Sequence, residues 1–252
     1  DTQTLLFAFS CAGFWVGIFN SVQEISKERK IYQREQYTGV NPMPYVMSKI
    51  LVLALLCLIQ TIIMFGIFAF MTHTTATLDG DVNSLTARSL GIGADGIILP
   101  GGLQWLELFV TTYLSVISAM CLGLAISSAV SNEMALVICP VCLLPQILFS
   151  GMASTLSGVT EVISKVITCR WTCIGYFVTA HINDLAESCD VSDGMKPVPF
   201  DNGFGVDAAY SSDATYLFGL NPVLSSWTAL FLLSLVCVII TICVLQYRKR
   251  KI

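Results

Sequence analysis

Charge is what this sequence has least of. Only 12% of its 252 residues are Asp, Glu, Lys or Arg, while 55% are hydrophobic. A soluble domain carries about 25% charged residues, so the chain has too little charge to coat a globule, and a soluble all-helical core would need far more polar faces. The net charge of −4 says little by itself, because what orients a membrane protein is where its basic residues sit; with so little charge overall, nucleic acid is disfavoured as a partner. Histidine is nearly missing. His73 and His181 both lie outside the long apolar runs, so a Ser and His pair for intramembrane proteolysis lacks a buried base. Charged residues are absent from the centres of those runs, which removes the usual carriers of proton relays and ion wells. No GxxxxGK[ST] phosphate loop occurs, and without one the chain has no backbone cradle of that kind for ATP phosphates. No catalytic constellation is left.

What is present is apolar length. Five uncharged runs, Leu5 to Val22, Ile50 to Thr72, Leu108 to Val130, Met134 to Met152 and Trp227 to Gln246, are each long enough to cross a hydrocarbon core that takes about 20 helical residues. The fourth run holds Pro140 and Pro145, which predicts a kinked helix. Trp105, Trp227 and Tyr247 stand at predicted membrane interfaces. The expected fold is an all-α polytopic membrane protein with five transmembrane helices.

Orientation follows from the basic residues. Of 13 Lys and Arg, Lys27, Arg29, Lys30, Arg34 and Lys49 lie in the loop 23–49, and Arg248, Lys249, Arg250 and Lys251 lie in the tail. The others, Arg88, Lys165, Arg170 and Lys196, are scattered over loops 73–107 and 153–226, which also hold most of the acids. The positive-inside bias therefore puts the loop 23–49 and the C-terminus in the cytoplasm and the two long loops outside. Asp1 then starts outside with neither an initiating Met nor a signal peptide, so the chain is expected to be a fragment preceded by at least one more helix.

Within the loop 23–49, Glu24, Lys27, Glu28, Lys30, Arg34 and Glu35 fall at spacings of three and four, the pattern of exposed ion pairs along a helix, with Ile25, Ile31 and Tyr32 as apolar contacts. Such a helix can lie on a partner, or it can be a solvated loop that sets topology beside lipid headgroups. Asn41, Pro42 and Pro44 end it. Ser131 to Glu133 is the only other polar step between runs on that side.

In the loop 153–226, Val159, Ile163, Val166, Ile167, Ile174, Phe177 and Val178 recur near helical spacing, suggesting an amphipathic helix or a re-entrant pair at the outer interface. From Cys189 the composition turns to Asp, Gly, Pro and Ser, an irregular cap. Seven of ten cysteines sit in or beside apolar runs as small hydrophobes. Cys169, Cys173 and Cys189 are outside, where a disulfide from Cys189 to either of the others would pin the cap. Their spacing to His181, Asp184 and Glu187 matches no standard metal site, and no metal is expected. Gly91, Gly93 and Gly96 spell GxGxxG but have no preceding strand, so they read as a flexible turn.

Two blocks carry a resemblance. Glu24 to Glu35 followed by a TyrThrGly step and Tyr45 to Ile50, and then Leu124 to Ala135 followed by a helix ending IleLeuPheSerGlyMet (Ile147 to Met152), resemble the membrane domain of ABC-2 type permeases, in the form seen in the G subfamily of ABC transporters and its bacterial relatives. The resemblance covers nearly the whole chain as one ABC-2 type transmembrane domain. It implies that the five helices are the second to sixth of a six-helix domain, and that a nucleotide-binding domain, fused upstream or separate, holds ATP and Mg. ATPase activity is expected there and not in this chain. The charged helix would couple to that domain through Glu24, Lys27, Glu28, Arg29, Tyr32 and Arg34, with Glu133 as a second contact. Gly13, Val16, Leu143, Leu144 and Ile147 would face a substrate path between two halves of a homodimer or pseudo-dimer. All five are apolar, which suits hydrophobic or lipid-like cargo moved outward. Met152 and Ala153 stand where family members often carry two large aliphatic residues, a departure that leaves a tight outer plug unsupported. The alternative is a polytopic scaffold or receptor whose cytoplasmic helix binds another protein.

Overall fold

The computed structural model of the chain describes residues 2–37, 41–78, 103–150, 159–180 and 221–249. Within them every regular element is a helix: α1 (Thr2–Ser21), α2 (Glu24–Tyr37), α3 (Pro42–Leu78), α4 (Gln104–Ala129), α5 (Asn132–Leu148), α6 (Val159–Ser164), α7 (Thr168–Thr179) and α8 (Pro222–Lys249). α1, α3, α4 and α8 are long and apolar enough to cross a membrane. α5 is apolar but has 17 residues, about 25 Å of rise against a core of about 30 Å. The run read as a span from Met134 to Met152 thus yields a shorter helix that already begins at Asn132, and its last residues lie outside the described residues. Pro140 and Pro145 both fall inside it, each removing one intrahelical donor.

α4 is the axis of the bundle. It packs on α1, α8, α7 and α3. Lipid tails are as apolar as leucine, so burial from water does not drive spanning helices together; close backbone approach and interhelical hydrogen bonds do. Both devices are present. At Gly17 of α1, a Cβ would lie 2.8 Å from the Ala119 Cβ, and at Gly123 of α4 it would lie 2.9 Å from the Ile18 carbonyl oxygen. Only the missing side chains let the two backbones approach so closely.

The hydrogen bonds form a seam of hydroxyls down one face of α4. Gln104 donates to the Thr179 carbonyl at 2.6 Å, Thr112 pairs with the Tyr176 hydroxyl at 2.8 Å, and Thr172 donates to Ser115 at 2.8 Å. Trp227 Nε1 of α8 donates to Thr111 at 2.8 Å. The first three of these bonds hold α7, which is buried at every residue from Thr168 to Thr179 except the half-buried Arg170 and packs on α1, α4 and α8. At about 18 Å, α7 is too short to cross a bilayer by itself. Its Cys169 N–H donates to Gln146 Oε1 of α5 at 3.0 Å, tying the proline-containing helix to the bundle. Aromatic packing of Phe9, Phe65, Phe68 and Trp105 fills the same end.

The outward faces are aliphatic. α3 exposes Leu51, Leu55, Ile59, Ile62, Ile63 and Ile67, and α8 exposes Phe231, Leu235, Val236, Ile239 and Ile240, as lipid-facing helices do.

Candidate functional site: the α2 joint

α2 is charged along most of its length and would be marginal as an isolated 14-residue helix. Its stability comes from what it rests on. Ile25 and Tyr32 point inward and are 1% and 3% exposed, whereas Ile31 on the opposite side is 58% exposed. The inner pair packs with Val46, Leu53, Leu124 and Leu245, and Tyr32 stacks on Tyr45 with ring centroids 4.3 Å apart.

The start of α2 is capped from another helix. The backbone N–H groups of Ile25 and Ser26, two of the four that a helix start leaves without intrahelical partners, both donate to the Ser127 hydroxyl at 3.0 Å. Ser127 lies in the last turn of α4. Ser26 Oγ also contacts Asn132 Oδ1 at 3.2 Å, at the start of α5. The reverse contact satisfies the end of α4: Arg29 donates to the Ser127 carbonyl at 3.3 Å and to the Val130 carbonyl, and Arg248 of α8 donates to the Ala129 carbonyl at 2.5 Å. Cations at a helix C-terminus offset its negative dipole end. Burial, and then the neighbouring Arg248 charge, hold the Arg29 guanidinium below its ordinary pKa.

Glu24 and Glu28 of α2 turn to α3. Lys49 reaches Glu28 at 2.6 Å and Glu24 at 3.2 Å, and the Tyr45 hydroxyl donates to Glu28 at 3.1 Å. This geometry exists because α3 starts at Pro42. Pro42 and Pro44 occupy a first turn that needs no donors, so the segment through Lys49 is helical and continuous with the span. Farther along, Asn20 of α1 and Gln60 of α3 face each other as an amide pair, with Gln60 Nε2 donating to Asn20 Oδ1 at 3.3 Å and Asn20 Nδ2 donating in return.

Of the residues singled out for coupling, Glu24, Glu28, Arg29 and Tyr32 are therefore engaged within the bundle, and Lys27, Arg34 and Glu133 are exposed, as are Lys30 and Ile31. The residues singled out for a path divide as well. Gly13 is buried, with space for a Cβ at 3.6 Å from Val116 and 3.7 Å from Met64. Val16, Leu143 and Ile147 are half-buried, and Leu144 is 59% exposed. Cys169 and Cys173 are buried free thiols; Cys189, the glycines of the GxGxxG step and His181 lie outside the described residues. Among the described residues no group of three His, Cys, Asp or Glu is placed to hold a metal.

Sequence reasoning missed Ser127 and Arg248 as parts of this joint, and marked Asn132 only as part of the polar step Ser131 to Glu133. A serine at a helix end is a recognisable cap, but its partner here lies 102 residues away, beyond any local pattern.

The amino-acid sequence that builds this joint is similar to that of known proteins. Over 184 residues the chain is 27% identical to the ABC transporter ATP-binding/permease protein Rv1747 of Mycobacterium tuberculosis, a match that covers 72% of this chain and 19% of that protein. The chain thus spans about a fifth of the relative's length. The model of the ABC-2 family transporter protein matches residues 2–243, nearly the whole sequence, and the chain is accordingly a multi-pass membrane component belonging to the ABC-2 family of transporters.

Proposed function

We propose that the chain is the permease half of an ATP-driven exporter that moves a hydrophobic or lipid-like substrate outward, powered by a nucleotide-binding domain that holds ATP and Mg. The relative's name joins an ATP-binding part to a permease, which supports such a partner, fused or separate. The observation that carries the reading is the α2 joint: its inner face is fixed to α4 through Ser127 and Arg29, while Lys27, Lys30, Ile31 and Arg34 are left exposed. In this reading the exposed face, with Glu133, receives the closing motion of the nucleotide-binding domain on the cytoplasmic side. Arg29, Tyr32 and the Glu24, Glu28 and Lys49 network pass it to α4 and α3. Two copies, or two similar halves, bring α1 and α5 together around a path bordered by Val16, Leu143, Leu144 and Ile147. Gly13 contributes by leaving α1 thin where it meets α3 and α4. The apolar character of these residues fits the cargo class.

The test is charge reversal on the exposed face, Lys27→Glu with Lys30→Glu, in the full-length protein reconstituted in lipid nanodiscs and in vesicles. ATP hydrolysis should persist while substrate stimulation and export fall at least about tenfold. If the full-length protein, with or without neighbouring gene products, neither binds nor hydrolyses ATP, the exporter reading fails and a scaffold whose α2 docks another protein replaces it.

A further inference from the structure

We propose that Arg29 and Arg248, paired over the C-terminal end of α4, form a binding site for the phosphate of an anionic lipid headgroup; assigning that lipid to the cytoplasmic leaflet rests on the orientation in the proposed function.

The two arginines come from different helices, α2 and α8, yet converge on carbonyls three residues apart at most: Ser127 and Val130 for Arg29, Ala129 for Arg248. Among the described residues neither guanidinium has a carboxylate partner, because Glu24 and Glu28 are turned to Lys49. The helix end between the arginines supplies the equivalent of roughly half a negative charge, so two full positive charges leave a local excess of roughly one and a half. Like charges held side by side in a partly buried place repel, and one phosphate monoanion lowers that excess to roughly half a charge. Donors for it remain. A guanidinium carries five N–H donors; Arg29 spends two on α4 and Arg248 one, and the planar forks that are left match phosphate oxygens.

Depth selects a lipid over other anions. From Trp227 to Tyr247, α8 rises about 30 Å, the thickness of the hydrocarbon core, which sets Arg248 at headgroup level with Tyr247 exposed beside it. The sequence continues with Lys249, Arg250 and Lys251, and a basic cluster directly beyond a spanning helix attracts anionic lipid. Phosphatidylglycerol and inorganic phosphate share the recognised group, and they are distinguished by the acyl anchor.

Native mass spectrometry of the detergent-purified full-length protein, offered phosphatidylglycerol or phosphatidylcholine, reads this directly. The parent should retain phosphatidylglycerol in preference to phosphatidylcholine. Arg248→Gln should lower that retention about tenfold while lowering the melting temperature in neutral lipid by no more than about 4 °C, the size of one lost helix-end contact. Lys27→Gln, which removes an exposed charge with no seat on α4, should lower it less than twofold. Equal retention by parent and Arg248→Gln overturns the proposal. So does displacement of the lipid by millimolar inorganic phosphate, which would make the site one for a free anion, and so does cross-linking of Arg248 to an acidic residue of the nucleotide-binding domain with no lipid retained. Retention is measured without turnover, so it succeeds or fails separately from export.

Discussion

Single residues decide how closely the helices approach. Gly17 and Gly66 occupy similar spans but opposite environments: a Cβ at Gly17 collides with the Val116 carbonyl and Ala119, while at Gly66 nothing lies within 4 Å. Gly17→Ala should therefore separate α1 from α4 and destabilise by about 1–3 kcal/mol or more through overpacking. Gly66→Ala should be neutral or stabilising by up to about 1 kcal/mol, the ordinary helix preference of alanine over glycine. Thermal melts of the two variants in one detergent check the contrast, and equal melting temperatures would refute the close-approach account. Ser127 is the other decisive residue. Ser127→Ala leaves two N–H groups of α2 without their acceptor and should cost about 1 kcal/mol, read as faster amide exchange confined to the first turn of α2. If exchange rises equally along α2 and α4, the serine is doing something other than capping.

At the scale of elements, the helix pairs are joined by polar contacts that apolar patterning does not foretell. α5 and α7 meet through Gln146 and the Cys169 N–H. Gln146→Leu orphans that buried donor, at a cost of about 1–3 kcal/mol, and limited proteolysis should cut near α7 sooner in the variant; unchanged cleavage would mean the bond is dispensable. The sequence made the spans legible because twenty residues without charge have few other uses, and it made α2 legible because its charges repeat at three and four. It also marked Tyr32 as a contact residue of α2. It left Lys49 in a loop, whereas Pro42 and Pro44 open the helix that carries it. It also left α7 as one of two surface possibilities, since apolar periodicity cannot say which neighbours a helix meets. The hydroxyl seam on α4 was visible only as several Ser and Thr in a span. The Ser127 cap and the two arginines on the α4 end were not visible at all, because their partners are about a hundred residues apart.

For the molecule as a whole, the α2 joint and the start of α4 lie at opposite ends of the same spanning helix. Single cysteines at Lys30 and at Leu103, both exposed, should accordingly be labelled by an impermeant thiol reagent from opposite sides of the membrane, with Lys30→Cys accessible only from inside in the proposed orientation. Labelling of both from one side would contradict the spanning of α4, and the reverse sidedness would invert the exporter reading. The trans-cap at Ser127 also has a consequence in time. Ile25 leaves the ribosome 102 residues before Ser127 does, which at synthesis rates of about 5–20 residues per second is a gap of roughly 5–20 s. During that interval a short charged segment waits beside the membrane without the hydroxyl that starts its helix. Nascent chains stalled before Ser127 should have α2 open to protease, and chains stalled well after it should not. The helix proposed to receive the power stroke would then also serve as the chain's own signal that its central span has been inserted.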